Sequence, residues 1–336
     1  MTKELWSLRA KRSNLIRNMR FINSNLVITT YGGTHERCVG AKISGFPAGF
    51  SVDLDDIQAM LERRRPKNAE ISTKRNEPDL AHVESGIENG LTTGEEINVF
   101  FDNTDVKGAE NDKDFIPRPG HGDYTYYMNT GEFLKGATSA RSTVGIVFAG
   151  ALCKQYLAER GIFVSAKMQS PSENEIKEVM SEGDSIGGLV NCSILGLSAG
   201  FGNPNKEKIE SKIAQCVFNI PGVKGLEFGL GFKMAKLKGS EANDPFIIEN
   251  EKVRTAGNNC GGLLGGMATG SPVEFRAAFK PTPSIKKEQE TVNLKTGERV
   301  VLKNENRSDP CIAVRGAVVV EAAAAIAITD IILENK

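Results

Sequence analysis

Short strand-like segments, which tend to come in neighbouring pairs along this 336-residue chain, constrain its fold most. Alternating or β-branched apolar residues mark four of them: "EEINVFFDN", "GLVNCSILGL", "EFRAAFK" and "ERVVLKNE". The last follows "LKTGE", which predicts a hairpin turn. Because such runs outnumber the helical segments and lie next to each other, the pattern predicts an α+β fold with antiparallel sheets rather than a doubly wound parallel sheet.

Helical periodicity marks four other segments: "SVDLDDIQAMLERRR", "VGIVFAGALCKQYLAERG", "NKEKIESKIAQCVF" and the C-terminal "EAAAAIAITDIILENK". Ser51 or Asp53 is predicted to cap the first of them. The chain has no repeat, low-complexity linker or break in composition, so we expect a single domain over residues 22–336.

The first twenty residues carry six basic side chains against the single Glu4. Residues 1–21 are therefore predicted to be a basic N-terminal extension. A transit peptide, a basic arm and an overcalled start before Met19 would each explain this composition, and the sequence leaves the three open.

Composition narrows the class of partner. Basic and acidic side chains both number 42, so no global field draws the chain to nucleic acid or to a membrane, and a small-molecule partner is expected. The six cysteines are far apart and form no C-x-x-C pair, which argues against a metal site or a disulfide framework and favours the cytoplasm. The most apolar tract, "GAVVVEAAAAIAI", carries Glu321, so we expect no membrane span.

Two of the three histidines lie among residues suited to chemistry. His35 in "YGGTHERCVG" follows two glycines and a threonine, and His121 in "RPGHGDYTYY" lies close to Arg118 and Asp123. Spacing alone leaves each open as a catalyst or as part of a turn. His82 has apolar neighbours and is predicted to be structural.

Glycine-rich and basic segments are the other candidates. "NNCGGLLGGMATGSP" matches neither nucleotide-binding fingerprint, so a glycine-lined turn remains open beside a ligand loop. "FKPTPS" offers one cation and two hydroxyls, which suit a phosphate or the polar edge of a flavin. The arginines of "ERRRPKNAEISTKR" either bind a polyanion or complement a helix C-terminus in solvent.

Together these segments resemble one family. "RPGHGDYTY" is very similar to the chorismate synthase signature R-P-G-H-A-D-Y-T-Y, and "GTH" resembles that family's G-E-S-H-G segment. Further collinear segments match it from about residue 22 to the C-terminus: "GFPAG", "RRRP", "STKRNEPD", "TTGEEI", "NTD", "GDSIGG", "VKGLEFGLGF", "GNNCGGLLGG", "KPTPSI" and "SDPCIAVR". Any one of them could arise by chance, but ten in order could not.

The resemblance implies a β-α-β sandwich, with antiparallel sheets around central helices, that assembles as a homotetramer. It implies a lyase that converts 5-enolpyruvylshikimate 3-phosphate to chorismate by anti 1,4-elimination of phosphate, in the shikimate pathway of aromatic amino acid biosynthesis. Reduced FMN is the implied cofactor and returns unchanged. NADP belongs to the same expectation, and whether the chain reduces its own flavin stays open.

The resemblance also implies roles for single residues. His35 would give a proton to the departing phosphate, His121 would lie near the pyrimidine edge of the flavin, and Asp309 would relay the abstracted proton near flavin N5. Nine residues align with cofactor-binding positions: Thr138, Ser139, Gly265, Lys280, Pro281, Thr282, Pro283, Ser284 and Arg315. Three arginines are the expected substrate ligands: Arg64, Arg75 and Arg141.

Four departures from the family pattern fall near the expected site. Gly33 and Glu36 exchange the family's glutamate and glycine around Thr34 and His35, and Glu70 stands where an arginine is common. A carboxylate about 4 Å from a substrate phosphate would cost roughly 4 kcal/mol at an effective dielectric constant near 20. The family's R-G-G-G-R-S-S-A-R is shortened to "LKGATSAR", and Ser308 replaces a histidine. A diverged homologue that binds a flavin or a phosphorylated ligand without this turnover therefore stays open as the alternative.

Overall fold

The computed structural model describes residues 19–34, 36–66, 68, 70–72, 77–105, 115–133, 140–303 and 308–334. Two antiparallel sheets enclose a layer of helices within this part of the chain. This arrangement confirms the predicted α+β class and the β-α-β sandwich that the resemblance implies.

The first sheet has five strands in the order β1-β2-β3-β7-β4. Their bounds are β1 Met19–Asn23, β2 Val27–Gly32, β3 Cys38–Ser44, β4 His82–Ser85 and β7 Ile97–Asp102. A small hairpin of β5, Ile87–Glu88, and β6, Leu91–Thr92, lies between β4 and β7 in sequence. Strand β1 begins at Met19, so residues 19–21 of the expected extension belong to this sheet.

The second sheet has four strands in the order β10-β15-β9-β8. Their bounds are β8 Phe163–Ser170, β9 Gly188–Leu195, β10 Val223–Phe228 and β15 Val273–Phe279. Three separate hairpins complete the described strands: β11 Phe246–Glu249 with β12 Lys252–Thr255, β13 Leu263–Leu264 with β14 Met267–Ala268, and β16 Gln289–Val292 with β17 Arg299–Leu302. The predicted turn at "LKTGE" joins the last pair and is confirmed.

Seven α-helices lie in the described residues, with short 3-10 turns at Ala140–Ser142 and Gly231–Lys236. The helices are α1 Leu54–Arg64, α2 Asp123–Thr130, α3 Thr143–Ala158, α4 Glu173–Ser181, α5 Ile209–Phe218, α6 Gly239–Ala242 and α7 Ala313–Glu334. Asp53 caps α1, as predicted, by accepting hydrogen bonds from the backbone N–H groups of Asp55 and Asp56. The C-terminal helix begins at Ala313, eight residues before the predicted start at Glu321.

Helices α3 and α7 form the centre of the sandwich. α3 packs against β2 and β3 of the first sheet, α7 packs against β8 and β9 of the second, and the two helices pack on each other. A Cβ added to Gly150 would lie 2.3 Å from the Cβ of Ala322, and one added to Gly145 would lie 2.7 Å from the Cβ of Ala41. Small residues therefore set the close spacing of α3 against α7 and of α3 against the first sheet.

Helix α7 is long and apolar enough to cross a membrane by length and composition alone, the one such helix among the described residues. Most of that apolar stretch is buried inside the protein, as in the core helix of a globular domain. Glu321 within it accepts two hydrogen bonds from Arg63, both 2.8 Å long, and one from Lys154. Burial raises the pKa of Glu321, but these two cations outweigh burial and hold the pKa below its usual value.

Candidate active site

A cavity of about 700 Å³ lies where loops from both sheets meet the ends of α1 and α7. Its described walls include the end of α1, the "EPD" segment at 77–79, the turn before α2, the turn before α3, the segment after α5, the loop after β15 and the segment before α7. Six cations and three carboxylates line it: Arg64, Arg118, Arg141, Lys224, Lys280 and Arg315 with Glu77, Asp79 and Asp309. The excess of positive charge suits an anionic ligand.

Asp79 holds two arginines at one side of this cavity. Arg64, the last residue of α1, donates from Nε and Nη2 to Asp79 Oδ2 at 3.1 and 2.5 Å. Arg141 donates from Nη1 to the other carboxylate oxygen, and from Nε to Asn103 Oδ1 at 2.8 Å. All three charged side chains are at least 95% buried. The shared carboxylate therefore fixes both guanidinium planes before any ligand binds.

The pKa values of this group follow from burial and from the paired charges. Burial raises the pKa of Asp79, but the charges of Arg64 and Arg141 outweigh it and hold the pKa below its usual value. Burial lowers the pKa of Arg64 to about 10, and the nearby Arg315 and Arg141 act in the same direction while Asp79 opposes them. Arg64 stays charged near neutral pH.

The turn before α2 brings Arg118, His121 and Asp123 together. Arg118 donates from Nε to Asp123 Oδ2 at 2.7 Å and from Nη2 to Asp123 Oδ1 at 2.9 Å. His121 Nδ1 lies 2.8 Å from Asp123 Oδ1. Burial raises the pKa of Asp123, but hydrogen bonds from Arg118 and His121 outweigh it and hold the pKa well below its usual value. Arg118 and His121 line the cavity, and Asp123 supports them from behind.

The loop after β15, residues 280–284, forms the opposite side of the cavity. Lys280 donates to the carbonyl oxygen of Gly120, and Ser284 Oγ accepts a 3.2 Å hydrogen bond from Arg118 Nη1. Burial, and then the charge of Lys224, lower the pKa of Lys280. The buried hydroxyl of Thr282 has no hydrogen-bond partner among the described residues. Such a group costs about 1–3 kcal/mol unless a ligand or water pairs with it.

The segment before α7 supplies an acid held by an arginine. Arg315 donates from Nη1 to Asp309 Oδ2 at 3.0 Å and from Nε to the carbonyl oxygen of Arg64 at 2.8 Å. Asp309 is 13% exposed and Arg315 is 18% exposed, and both line the cavity. Through these contacts the start of α7 and the end of α1 present one continuous charged surface.

Comparisons with known proteins agree with this arrangement. The family model for chorismate synthase matches residues 26–173 and 165–333. The chain belongs to the chorismate synthase family. It is 40% identical over 345 residues to a chorismate synthase of Methanosarcina barkeri, covering 92% of this chain and 94% of the relative. A chorismate synthase of Thermococcus kodakarensis is 39% identical over 344 residues, covering 93% of this chain and 97% of the relative.

A solved structure described as the crystal structure of chorismate synthase superposes with a TM-score of 0.71. It covers 92% of both chains at 24% sequence identity, and so it supports the chorismate synthase fold. The family and the fold implied by the sequence motifs are thus confirmed.

The structure brings most of the residues expected from chorismate synthases to one cavity. These are His121, Asp309, Lys280, Thr282, Pro283, Ser284, Arg315, Arg64 and Arg141. Pro281 belongs to the same loop without lining the cavity, and Gly265 lies between β13 and β14, also away from its walls. His35, Arg75, Thr138 and Ser139 lie outside the described residues. Thr34 and Ala140, which are adjacent to His35 and Ser139, do line the cavity.

Glu36 and Glu70, two of the departures from the chorismate synthase pattern, were expected to disturb the anion site. The structure places both of them away from the cavity. Glu36 is exposed and does not line the cavity. Glu70 forms a 2.6 Å ion pair with Lys177 of α4, and its side chain is 68% exposed. Neither carboxylate is directed at the cavity. Ser308 does line it, and residues 134–139 of the shortened loop lie outside the described residues.

Sequence reasoning missed the supporting residues. Asp79 and Glu77 lie in the "EPD" segment, which matched the family pattern without receiving a role, and Lys224 follows the residue that opens β10. Glu77 accepts hydrogen bonds from the backbone N–H and the hydroxyl of Thr104, both 2.8 Å long. A signal was present, because two charged residues flank a proline in a segment that the family shares. His82 is about half exposed, stacks on Phe100 and lies outside the cavity.

All six cysteines lie within the described residues and are free thiols. Within the same part of the chain no group of three histidine, cysteine, aspartate or glutamate side chains could hold a metal ion.

Proposed function

We propose that this chain is a working chorismate synthase, which eliminates phosphate from 5-enolpyruvylshikimate 3-phosphate to give chorismate. The observation that carries the proposal is the cavity lined by six cations, three carboxylates and His121. The substrate carries a phosphate and two carboxylates, and such a polyanion needs fixed cationic partners. The cavity volume of about 700 Å³ is in the range of ordinary ligand sites.

Arg64 and Arg141 are the proposed anchors of the substrate. Both are buried and already oriented by Asp79, so little side-chain entropy is lost when an anion binds. The planar guanidinium groups can each present two N–H donors to a phosphate or a carboxylate. We propose Arg75, in the "STKRNEPD" segment that also holds Asp79, as the third anchor.

The loop of residues 280–284 fits a flavin mononucleotide. Thr282 offers a buried hydroxyl that awaits a partner, Lys280 offers a cation and Ser284 a second hydroxyl. We propose that these residues hold the cofactor with Pro281, Pro283, Arg315, Thr138, Ser139 and Gly265. Reduced FMN supplies electron density that assists departure of the phosphate.

Protons are handled by His121, His35 and Asp309 in this proposal. His121 offers an imidazole for proton transfer, and it lies on the cavity wall beside the loop proposed to hold the cofactor. Asp309 is held by Arg315 with its carboxylate at the cavity, where it can accept a proton. His35 is proposed to protonate the departing phosphate.

Several finer properties belong to the same proposal. We propose a cytoplasmic homotetramer built from one domain over residues 19–336, which takes in the β1 residues 19–21, with a basic N-terminal extension before it. NADP is the proposed source of electrons if the chain reduces its own flavin.

An anaerobic assay tests the proposed function. Purified protein, reduced FMN and 5-enolpyruvylshikimate 3-phosphate should give chorismate and inorganic phosphate in equal amounts. The matched blank omits only the protein. Chorismate no higher than in that blank would reject the proposal and favour a diverged homologue.

A further inference from the structure

His121 lies between two charged groups of its own turn. Its Nδ1 is 2.8 Å from Asp123 Oδ1, and Arg118 Nη2 is 3.1 Å from each of its ring nitrogens. The hydrogen bond from the His121 N–H to the Arg118 carbonyl oxygen, 3.1 Å long, closes the turn that brings the three side chains together. Asp123 follows as the first residue of α2.

The Asp123 carboxylate is held rigidly and can only accept. Its side chain is 5% exposed, and it receives Arg118 Nε, Arg118 Nη2 and the Arg118 backbone N–H at 2.7, 2.9 and 3.1 Å. Hydrogen bonds to an ionised carboxylate favour the ionised form, in agreement with the low pKa of this group. An ionised carboxylate has no proton to offer to the imidazole.

The donor inventory then decides where the imidazole proton lies. An unprotonated Nδ1 would place a lone pair 2.8 Å from a carboxylate oxygen, so Nδ1 carries the proton. A guanidinium only donates, so Arg118 Nη2, which lies 3.1 Å from both ring nitrogens, cannot accept the proton of either one and leaves Asp123 as the acceptor beside Nδ1. Which ring nitrogen reacts is set in this way by the bond made at the other nitrogen.

We propose that Asp123, clamped by Arg118, is a positioning residue that keeps a proton on Nδ1 of His121 and makes Nε2 the nitrogen that exchanges protons in the cavity. Arg118 also donates from Nη1 to Ser284 Oγ, so the same guanidinium joins the histidine to the loop proposed to hold the cofactor. The effect on turnover rests on the proposed function, whereas the position of the proton does not.

The chain suits a direct measurement, because it has three histidines. Nitrogen-15 labelled histidine gives spectra in which Nδ1–H and Nε2–H tautomers differ, and His121→Gln identifies the His121 signals by their loss. Above neutral pH the wild-type protein should show His121 as the Nδ1–H tautomer. Asp123→Asn should shift it towards Nε2–H, since the amide no longer forces a proton onto Nδ1. A wild-type Nε2–H tautomer, or an unchanged tautomer in Asp123→Asn, would overturn the proposal.

Kinetics give the second readout. Asp123→Asn should lower kcat for chorismate formation about a hundredfold, in the range of a lost general acid or base. The KM for 5-enolpyruvylshikimate 3-phosphate and the affinity for FMN should stay within about threefold, because Arg64 and Arg141 are held by Asp79 and do not depend on Asp123. Glu96→Gln removes an exposed carboxylate that pairs with Lys42. This variant is the matched control and should keep the wild-type kcat.

The possible failures are distinguishable. If the wild-type protein makes chorismate and Asp123→Asn keeps the wild-type kcat, the positioning role is overturned. If the wild-type protein makes no chorismate, the proposed function fails while the tautomer still decides the positioning role. If Asp123→Asn does not fold, the wild-type tautomer alone decides it.

Discussion

The hydroxyl of Thr282 is expected to contribute to FMN binding but not to the stability of the ligand-free protein. Its hydroxyl is buried without a partner among the described residues, so Thr282→Val should leave the free energy of unfolding of the ligand-free protein unchanged or raise it slightly. The same change should weaken FMN binding about tenfold, the loss of one good hydrogen bond. Urea unfolding and flavin titration measure the two effects.

Thr92→Val is the matched control for that change. Thr92 Oγ1 is also buried, but it donates to the Pro47 carbonyl oxygen at 2.6 Å and accepts from the Phe50 N–H at 2.9 Å. Its loss should cost about 1–3 kcal/mol of stability and leave FMN affinity unchanged. Equal FMN affinity in Thr282→Val and the wild type would contradict the role proposed for Thr282.

Among the single residues considered, Asp79 is expected to contribute most to the free energy of unfolding. Asp79→Asn leaves two buried guanidinium groups with one neutral partner, and it should cost about 3–5 kcal/mol of unfolding free energy. Since the folded pKa of Asp79 lies below its usual value near 3.9, its contribution is complete above about pH 4 and is lost as the pH falls towards the folded pKa. Asp79→Asn should therefore weaken the fall of stability below pH 4, measured by urea unfolding at several pH values. An unchanged acid slope would contradict this account.

At the scale of elements, the contact between α3 and α7 is the most sensitive. Gly150→Ala would place a Cβ 2.3 Å from the Cβ and 2.4 Å from the Cα of Ala322, so the two helices must move apart. Overpacking of this kind should cost about 1–3 kcal/mol, seen as a lower urea midpoint. Gly239→Ala in α6 meets no atom within 4 Å and should be neutral or slightly stabilising. Equal midpoints for both variants would contradict the close packing described here.

The helices show how much of the secondary structure local sequence patterns can predict. Helices α1 and α5 were predicted because each has a regular apolar face, and α1 also has a capping residue in Asp53. Helix α3 is buried nearly all round and was predicted from its long apolar run. The start of α7 was misplaced because its first eight residues include Gly316 and four valines, which are weak helix formers. Helix α2 went unrecognised, since its polar and aromatic sequence carries little apolar periodicity and a Pro-Gly turn precedes it.

At the scale of the whole molecule, charge is balanced overall and unbalanced at the cavity. The chain carries 42 basic and 42 acidic side chains, while six cations face three carboxylates at the site. Raising the ionic strength from about 0.1 M to 1 M shortens the Debye length from about 10 to 3 Å. The KM for 5-enolpyruvylshikimate 3-phosphate should rise several-fold over that range with a small change in kcat, measured by initial rates in KCl. A KM that is independent of salt would contradict the cationic cavity.

The cavity itself lies beyond what local sequence patterns can predict. Arg64 and Arg141 meet Asp79 only because α1, the "EPD" segment and the turn before α3 converge in three dimensions. Family motifs identified Arg64, His121, Asp309 and the 280–284 loop, since these residues share types and order with chorismate synthases. They gave no role to Asp79 or Asp123, whose function is to hold other side chains. Where Glu70 points also depended on a partner distant in sequence, Lys177.

We expect one cavity to perform an elimination in which the flavin is not consumed. Its most direct measurement is anaerobic turnover with reduced FMN at a small fraction of the 5-enolpyruvylshikimate 3-phosphate concentration, with flavin absorbance and chorismate followed together. The account predicts many molecules of chorismate per FMN, with the flavin still reduced when the substrate is exhausted. No chorismate above the protein-free blank, or one flavin oxidised for each chorismate formed, would contradict it.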